Sequence, residues 1–159
     1  MICYIGLGSN LGDRKNFLDS AVAELEKISI VSNKSKIYET PPWGDTEQPS
    51  FLNSCVEIKS DLPAAELLSQ LKNIEDQLGR THIRKWGPRV IDLDLLFYGS
   101  ETMTTEKLTV PHPELHKRAF VLKPLADIAG KFIHPVLKLS ITQLLANIDS
   151  NEIHEFNAE

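Results

Sequence analysis

No stretch of this sequence approaches the roughly 18 consecutive apolar residues of a membrane-spanning helix, so no membrane segment is expected. The first residues, Met1 to Gly8, are too few and lack the cationic start of a signal peptide, and the expected location is cytoplasmic. Only two cysteines occur, Cys3 and Cys55, too few and too far apart for a disulfide framework or a zinc site, so both are expected to be reduced core residues. Glycine is sparse and wrongly spaced for a nucleotide loop: Gly6-Leu7-Gly8-Ser9-Asn10-Leu11-Gly12 is neither a dinucleotide fingerprint nor a Walker loop, since no Gly-Lys-Ser/Thr follows. A tight turn is the plainer reading of it. A basic surplus is also missing, the net charge being -5, which argues against general nucleic-acid binding. No low-complexity run or Gly/Ser linker divides the 159 residues, so residues 1–159 are expected to form a single domain, likened to one compact unit with 42% apolar residues to fill its core.

Against that acidic background one segment stands out. Arg80 to Arg89 holds Arg80, Arg84, Lys85 and Arg89 with His82 and no acid; removing those four positive charges from the net -5 leaves -9 on the rest. Guanidinium forks match phosphate oxygens, so such a cluster is what a polyanion such as a nucleoside triphosphate requires. The segment runs directly into Val90-Ile91-Asp92-Leu93-Asp94-Leu95-Leu96-Phe97-Tyr98, where every residue but the two aspartates is apolar. On a strand, alternation puts Ile91, Leu93, Leu95 and Phe97 on one face and both aspartates on the other. Carboxylates at i and i+2 lie roughly 6 to 7 Å apart, suited to a pair of magnesium ions about 3.5 to 4 Å apart, an arrangement that serves phosphoryl transfer. An Asp-x-Asp is equally the solvated face of an ordinary hairpin, and it is the neighbouring basic segment that favours the metal reading.

Periodicity orders the rest. Ile2 to Gly8 reads as a buried strand, and Ser9 to Asp13 as a turn ending in a helix cap. Phe17, Leu18, Ala21, Val22, Leu25 and Ile28 recur at helical spacing. A strand follows within Ser29 to Tyr38, an irregular loop opens at Thr40-Pro41-Pro42-Trp43-Gly44, and Phe51 to Ile58 is another strand. On that strand Leu52, Ser54, Val56 and Ile58 form the core side, while Phe51, Asn53 and Cys55 share the face open to a ligand. Pro63 starts a second helix striped by Leu67, Leu68, Leu71, Ile74 and Leu78 and ended by Gly79. Strand, helix, strand, strand, helix, strand is the split βαβ order of an α+β, ferredoxin-like two-layer sandwich: a mostly antiparallel sheet with helices on one face and a βαββαβ core, followed by C-terminal additions. Those additions are a short strand at Lys107 to Val110, a helix at Arg118 to Ala129 carrying Pro124, and a helix capped by Ser140-Ile141-Thr142-Gln143. The polar tail after Asp149 is expected to fray.

Several residues admit two readings. Glu75, at the edge of its helical stripe, is either a partner for an arginine or a ligand contact. Trp86, beside Gly87-Pro88, is either a loop anchor or a lid over an aromatic substrate. His112, between Pro111 and Pro113, is either structural or a nucleotide contact.

Gly8-Ser9-Asn10-Leu11-Gly12, Thr40-Pro41-Pro42, Phe51-Leu52-Asn53, Gly79-Arg80, Arg84 to Leu96 and Leu108-Thr109-Val110-Pro111-His112-Pro113 together closely resemble the 6-hydroxymethyl-7,8-dihydropterin pyrophosphokinase family of folate biosynthesis, in the same order from Met1 to about Leu125. The resemblance implies the ferredoxin-like fold and transfer of diphosphate from ATP to the pterin hydroxymethyl group, releasing AMP. It implies that Asp92 and Asp94 hold two magnesium ions and that Arg80 and Arg89 stabilise charge moving onto the α-β bridging oxygen. By the same resemblance Thr40, Pro41, Trp43, Phe51, Asn53, Trp86 and Phe120 contact the pterin. Glu75, Arg80, His82, Arg84, Trp86, Arg89, Leu95, Lys107, Thr109, His112 and Arg118 fall where the family contacts ATP. His82 stands where the family commonly has an arginine, Pro113 where a tyrosine is frequent, Trp43 where a smaller aliphatic occurs, and Lys107 where an arginine is found. The expected partners are these small molecules, with no nucleic acid and no membrane, and a monomer is expected. The Arg80 to Arg89 loop is expected to be mobile when empty and to close over bound substrates. Two rival readings are a ferredoxin-like RNA-binding module and a two-metal phosphoesterase.

Overall fold

A computed structural model describes residues 1–41, 49–79 and 90–157. Its central strand, β1 (Ile2–Ser9), alternates in the expected way: Cys3, Ile5 and Leu7 point into one hydrophobic core. Tyr4, by alternation, faces a second one. Gly12, at φ 71, turns the chain into α1 (Arg14–Ile28), whose cap is Asp13: its carboxylate accepts the Asn16 N–H at 3.2 Å. The predicted strand of 29–38 is broken in two, β2 (Ile30–Lys34) and β3 (Tyr38–Thr40). Both pair with β4 (Phe51–Lys59). Helix α2 (Ala64–Leu78) begins after Pro63 and closes at Gly79, whose N–H bonds the Glu75 carbonyl at 2.8 Å. Strand β5 (Asp92–Tyr98) completes the core.

The strands lie in the order β5-β1-β4-β3, with β2 also on β4, and each pairing is antiparallel. Helices α1 and α2 bury Leu18, Ala21, Leu25, Leu67, Leu71 and Ile74 against Leu52, Val56, Ile58, Leu93 and Leu95. The ferredoxin-like βαββαβ sandwich is therefore present as predicted. The C-terminal additions do more than follow it. After the short hairpin of β6 (Met103–Thr104) and β7 (Thr109–Val110), α3 (Ala119–Ala129) and α4 (Ile141–Ala146) cover part of the sheet's other face. There Leu115, Leu122, Leu125, Ile141 and Leu144 pack on Tyr4, Cys55, Leu96 and Phe97. Helices thus lie on both faces, where the sequence placed them on one. The α4 capping box forms as predicted, with Gln143 N–H to Ser140 Oγ at 3.1 Å and Ser140 N–H to Gln143 Oε1 at 2.8 Å.

Three expectations change. Cys55 does not face a ligand; α3 packs over it and it is 1% exposed. Phe97 does not share a face with Leu93 and Leu95, because the β1–β5 register shifts between Tyr4 and Ile5, which pair with Phe97 and Leu95 and leave Leu96 as an extra residue. Such a bulge resets alternation, so Leu96 and Phe97 both enter the second core and Tyr98 returns to the first. The tail after Asp149, expected to fray, carries contacts as far as Phe156: β8 (His154–Glu155) pairs with β3, Phe156 N–H bonds the Ile37 carbonyl at 2.8 Å, and the Arg14 guanidinium lies 5.7 Å from the Phe156 ring. Cys3 and Cys55 are free and buried, as expected. Among the described residues no helix is long and apolar enough to cross a membrane.

Because α3 shares its core with β1, β4 and β5, Leu122→Ala is expected to cost about 3 kcal/mol, as for a fully buried leucine, and to do so in one cooperative transition. Urea denaturation followed by fluorescence and by far-UV circular dichroism checks this; separate transitions would show α3 to be an independent appendage.

Candidate functional site

The sheet register builds the site. Gly8 of β1 pairs with Asp92 of β5 on one side and with Asn53 of β4 on the other, and Gly6 likewise pairs with Asp94 and Cys55. Directly opposed residues share a face, so Asp92, Asp94, Asn53, Gly6 and Gly8 all lie on the side that carries α3. At an interstrand spacing of about 4.8 Å, Asp92 and Asn53 stand roughly 10 Å apart across Gly8. With no side chain at Gly8, the sheet carries a trough there. A methyl added at Gly8 would meet Asn53 Oδ1 at 3.0 Å, whereas the space above Gly6 is closed by Leu96, whose side chain lies 3.5 Å from where a methyl would be.

At one end of the trough, Asn53 is 7% exposed and donates from Nδ2 to the Thr40 hydroxyl at 3.0 Å. That bond fixes the carboxamide. Thr40, expected as a ligand contact, is buried with its hydroxyl engaged by Asn53. Phe51 is half-buried beside it, and Pro41 is exposed. Arg14 ties the flank together, bonding Glu39 Oε2 at 2.7 Å and the Ser50 carbonyl at 2.8 Å.

At the other end, Asp92 and Asp94 are half-buried. Asp94, Leu95, Lys107, Thr109 and His112 line one cleft of about 310 Å3, together with Leu68, Lys72 and Pro113. His112 is held by two backbone contacts: its N–H bonds the Leu96 carbonyl at 2.9 Å, and its Nδ1 accepts the Glu114 N–H at 3.2 Å. An accepting Nδ1 places the proton of the neutral ring on Nε2. Burial, reinforced by Arg118, lowers the His112 pKa, so the neutral donor form prevails at pH 7. Glu75 reaches β5 from α2: its Oε2 accepts the Leu93 N–H at 2.7 Å, and its Oε1 lies 3.5 Å from Lys72 Nζ. Of its two sequence readings, an arginine partner and a ligand contact, neither describes these bonds. Arg118 and Phe120, at the start of α3, pack on each other at 5.7 Å. Trp43, Arg80, His82, Arg84, Trp86 and Arg89, and with them the expected loop closure, lie outside the described residues.

Comparison with known proteins fits this arrangement. The 7,8-dihydro-6-hydroxymethylpterin-pyrophosphokinase (HPPK) family pattern matches residues 4–130. The chain belongs to that family. It is 50% identical over 129 residues to the 2-amino-4-hydroxy-6-hydroxymethyldihydropteridine pyrophosphokinase of Bacillus subtilis (strain 168), covering 80% of this chain and 77% of that one. It is 42% identical over 135 residues to the protein of the same name from Aquifex aeolicus (strain VF5), covering 85% and 84%. In fold it is similar to Plasmodium falciparum HPPK-DHPS, solved with pterin and p-hydroxybenzoate, at a TM-score of 0.74 and 19% identity over 97% of this chain. It spans 46% of that longer chain, a little under half. Family membership makes the protein a pyrophosphokinase of folate biosynthesis, an ATP-dependent diphosphotransferase, and disfavours the RNA-binding and phosphoesterase readings.

Sequence reasoning missed Lys72, Leu68, Gly6 and Gly8. Lys72 was recoverable, since it stands three residues before Glu75 on the same helical face. Gly6 and Gly8 lie inside β1, within the strand expected from Ile2 to Gly8, but their importance depends on a register that the sequence does not display.

Burial raises the Glu75 carboxyl to about 7; the Leu93 N–H opposes the rise and the nearby Asp92 carboxylate adds to it. Above its ordinary value of 4.5, the folded protein retains a proton that the unfolded chain has released, so stability falls as pH rises from there to about 7. Glu75→Gln, measured by denaturation in the presence of a chelator at about pH 5 and about pH 7.5, is expected to flatten that fall. An unchanged pH dependence would remove Glu75 as its source.

Proposed function

We propose that this chain transfers the terminal diphosphate of ATP to the hydroxymethyl group of 6-hydroxymethyl-7,8-dihydropterin, releasing AMP, in the trough between Asp92 and Asn53. One observation carries the reading: the register row Asp92, Gly8, Asn53 sets a carboxylate for phosphate chemistry and a carboxamide for a flat heterocycle on one face, with no side chain between them. A bicyclic ring with a one-carbon arm suits that span. Asn53 offers donor and acceptor to the amide-like ring edge, while Phe51 and Phe120 supply aromatic faces. Pro41 and the backbone of Thr40 border the ring, with Trp43 and Trp86 as further contacts.

Asp92 and Asp94 are hard oxygen donors on one face, and among the described residues no group of three His, Cys, Asp or Glu side chains is placed to hold a metal. That donor set fits magnesium, which takes one or two carboxylates and completes its shell with phosphate oxygens and water. Two such ions, when bound, neutralise phosphate charge and lower the pKa of the attacking hydroxyl. Lys107, Thr109 and neutral His112 present a cation, a hydroxyl and an Nε2–H donor to the nucleotide, with Leu95 beside them and Arg118 at the start of α3. By family resemblance Arg80, His82, Arg84 and Arg89 supply the remaining phosphate contacts, and Arg80 and Arg89 stabilise the charge that moves onto the α-β bridging oxygen. No side-chain nucleophile is required, and the buried thiols, with raised pKa values, are unsuited to be one. The protein acts as a monomer in this reading, and the use of ATP accords with a cytoplasmic location.

Magnesium-ATP incubated with the protein is expected to yield AMP, without ADP, only when the hydroxymethyl dihydropterin is present; ADP, or AMP formed regardless of pterin, would overturn the reading. Asp94→Ala is expected to lower turnover about a thousandfold, equivalent to about 4 kcal/mol, with the denaturation midpoint nearly unchanged. Asn53→Ala is expected to raise the pterin KM about tenfold, the loss of one or two hydrogen bonds of about 1 kcal/mol each, while ATP affinity measured by calorimetry stays the same.

A further inference from the structure

Among the described residues β5 is the end strand of the sheet, with a partner strand on one edge only. An end strand offers unpaired N–H groups, and a side chain that caps one of them fixes the strand at that residue. Here the capped residue is Leu93, which lies between the two aspartates. Its N–H is donated to Glu75 Oε2 at 2.7 Å, a short bond. The Glu75 side chain is only 16% exposed. It projects from the last turn of α2, where its own carbonyl accepts the Gly79 N–H, and α2 is fixed by Leu71 and Ile74 in the core. A rigid path therefore runs from the core through α2 and Glu75 to the peptide joining Asp92 to Leu93.

We propose that Glu75 is a positioning residue that acts through the Leu93 peptide, holding Asp92 and Asp94 at their working separation, and that it does not act by touching nucleotide. This rests on the reading of Asp92 and Asp94 as the phosphate and metal end of the site. Among the described residues two routes run from Glu75 to that pair, the bond to the Leu93 peptide and a direct side-chain hydrogen bond with Asp92, and only the first reaches Asp92 and Asp94 alike. Its essential property is an acceptor at the right distance, which glutamine preserves, alanine removes and aspartate withdraws by one methylene.

The test compares Glu75→Gln, Glu75→Ala and Glu75→Asp in the full chain. Amide hydrogen exchange at Leu93, read by NMR in chelator without nucleotide, is expected to speed at least tenfold in the Ala and Asp variants and to remain slow in the Gln variant. Turnover at saturating ATP and pterin is expected to fall on the order of 100-fold in the Ala and Asp variants, the cost of a misplacement near 1 Å. Glu75→Gln should recover at least tenfold of that loss. Binding of ATP in chelator should be the same in all four proteins. The proposal is overturned if Leu93 is unprotected in the parent protein, if Glu75→Gln falls as far as Glu75→Ala, or if the variants weaken metal-free ATP binding in parallel with turnover. Should Glu75→Ala fail to fold, Asp against Gln decides: a Gln variant more impaired than the Asp variant makes the negative charge, not the acceptor, the working property, and overturns the idea. If the parent made no pterin-dependent AMP, the assignment of the site would fall, while the Leu93 exchange would still report on the clamp.

Discussion

The absence of side chains at Gly6 and Gly8, in the middle of the central strand, is the constraint on which the site depends. β1 is hydrogen-bonded on both edges, so whatever it carries lies between the residues of β4 and β5. Its odd-numbered residues Cys3, Ile5 and Leu7 anchor the sheet to α1 and α2, and on the opposite face Gly6 and Gly8 carry no side chain of their own. The same eight residues thus supply the central strand of the sheet and the floor of the trough. Because Asn53 Oδ1 lies so near the Gly8 backbone, and Nδ2 is held by Thr40, the carboxamide has one orientation. A reading group fixed before its ligand arrives loses little freedom on binding.

The C-terminal additions divide that face. Helices α3 and α4 seal the portion over Tyr4 and Cys55, and the β5 bulge sends Leu96 over Gly6 to close the trough's inner end. The Leu96 carbonyl, displaced from the ladder by the bulge, is taken up by the His112 N–H. One irregular residue therefore shapes the apolar wall and places the histidine beside Asp94.

What could be read in the sequence was what is encoded locally. The Asp13 and Ser140 caps, the Gly79 stop and the helical stripes follow from residues within one turn of each other, and each forms as expected. Asp92 and Asp94 were legible because the two polar residues interrupt an apolar strand. Phe97 was misplaced because Leu95, Leu96 and Phe97 are all apolar and both faces of the sheet are buried, so nothing in the pattern marks the extra residue. Cys55 was misplaced for the same reason, its cover arriving from a helix some seventy residues later in the chain. β8 is a two-residue polar strand whose pairing with β3 is purely tertiary, and Glu75's bond to Leu93 depends on how α2 lies against the sheet edge. Asn53 was singled out by family resemblance; its fixed orientation required the register.

The two sulfhydryls carry one further consequence. Burial lifts the Cys3 thiol to about 11 and raises that of Cys55 further still. At neutral pH only about one Cys3 in ten thousand is ionised, and neither sulfur is reachable from solvent. Peroxide, nitrosating agents and electrophilic drugs that modify cysteine attack an accessible thiolate, so in the native state they find no thiol to react with here. Oxidation of the folded protein therefore falls on other groups, such as the thioether of the exposed Met1, and a covalent warhead aimed at it would have to seek an amine or a carboxylate instead.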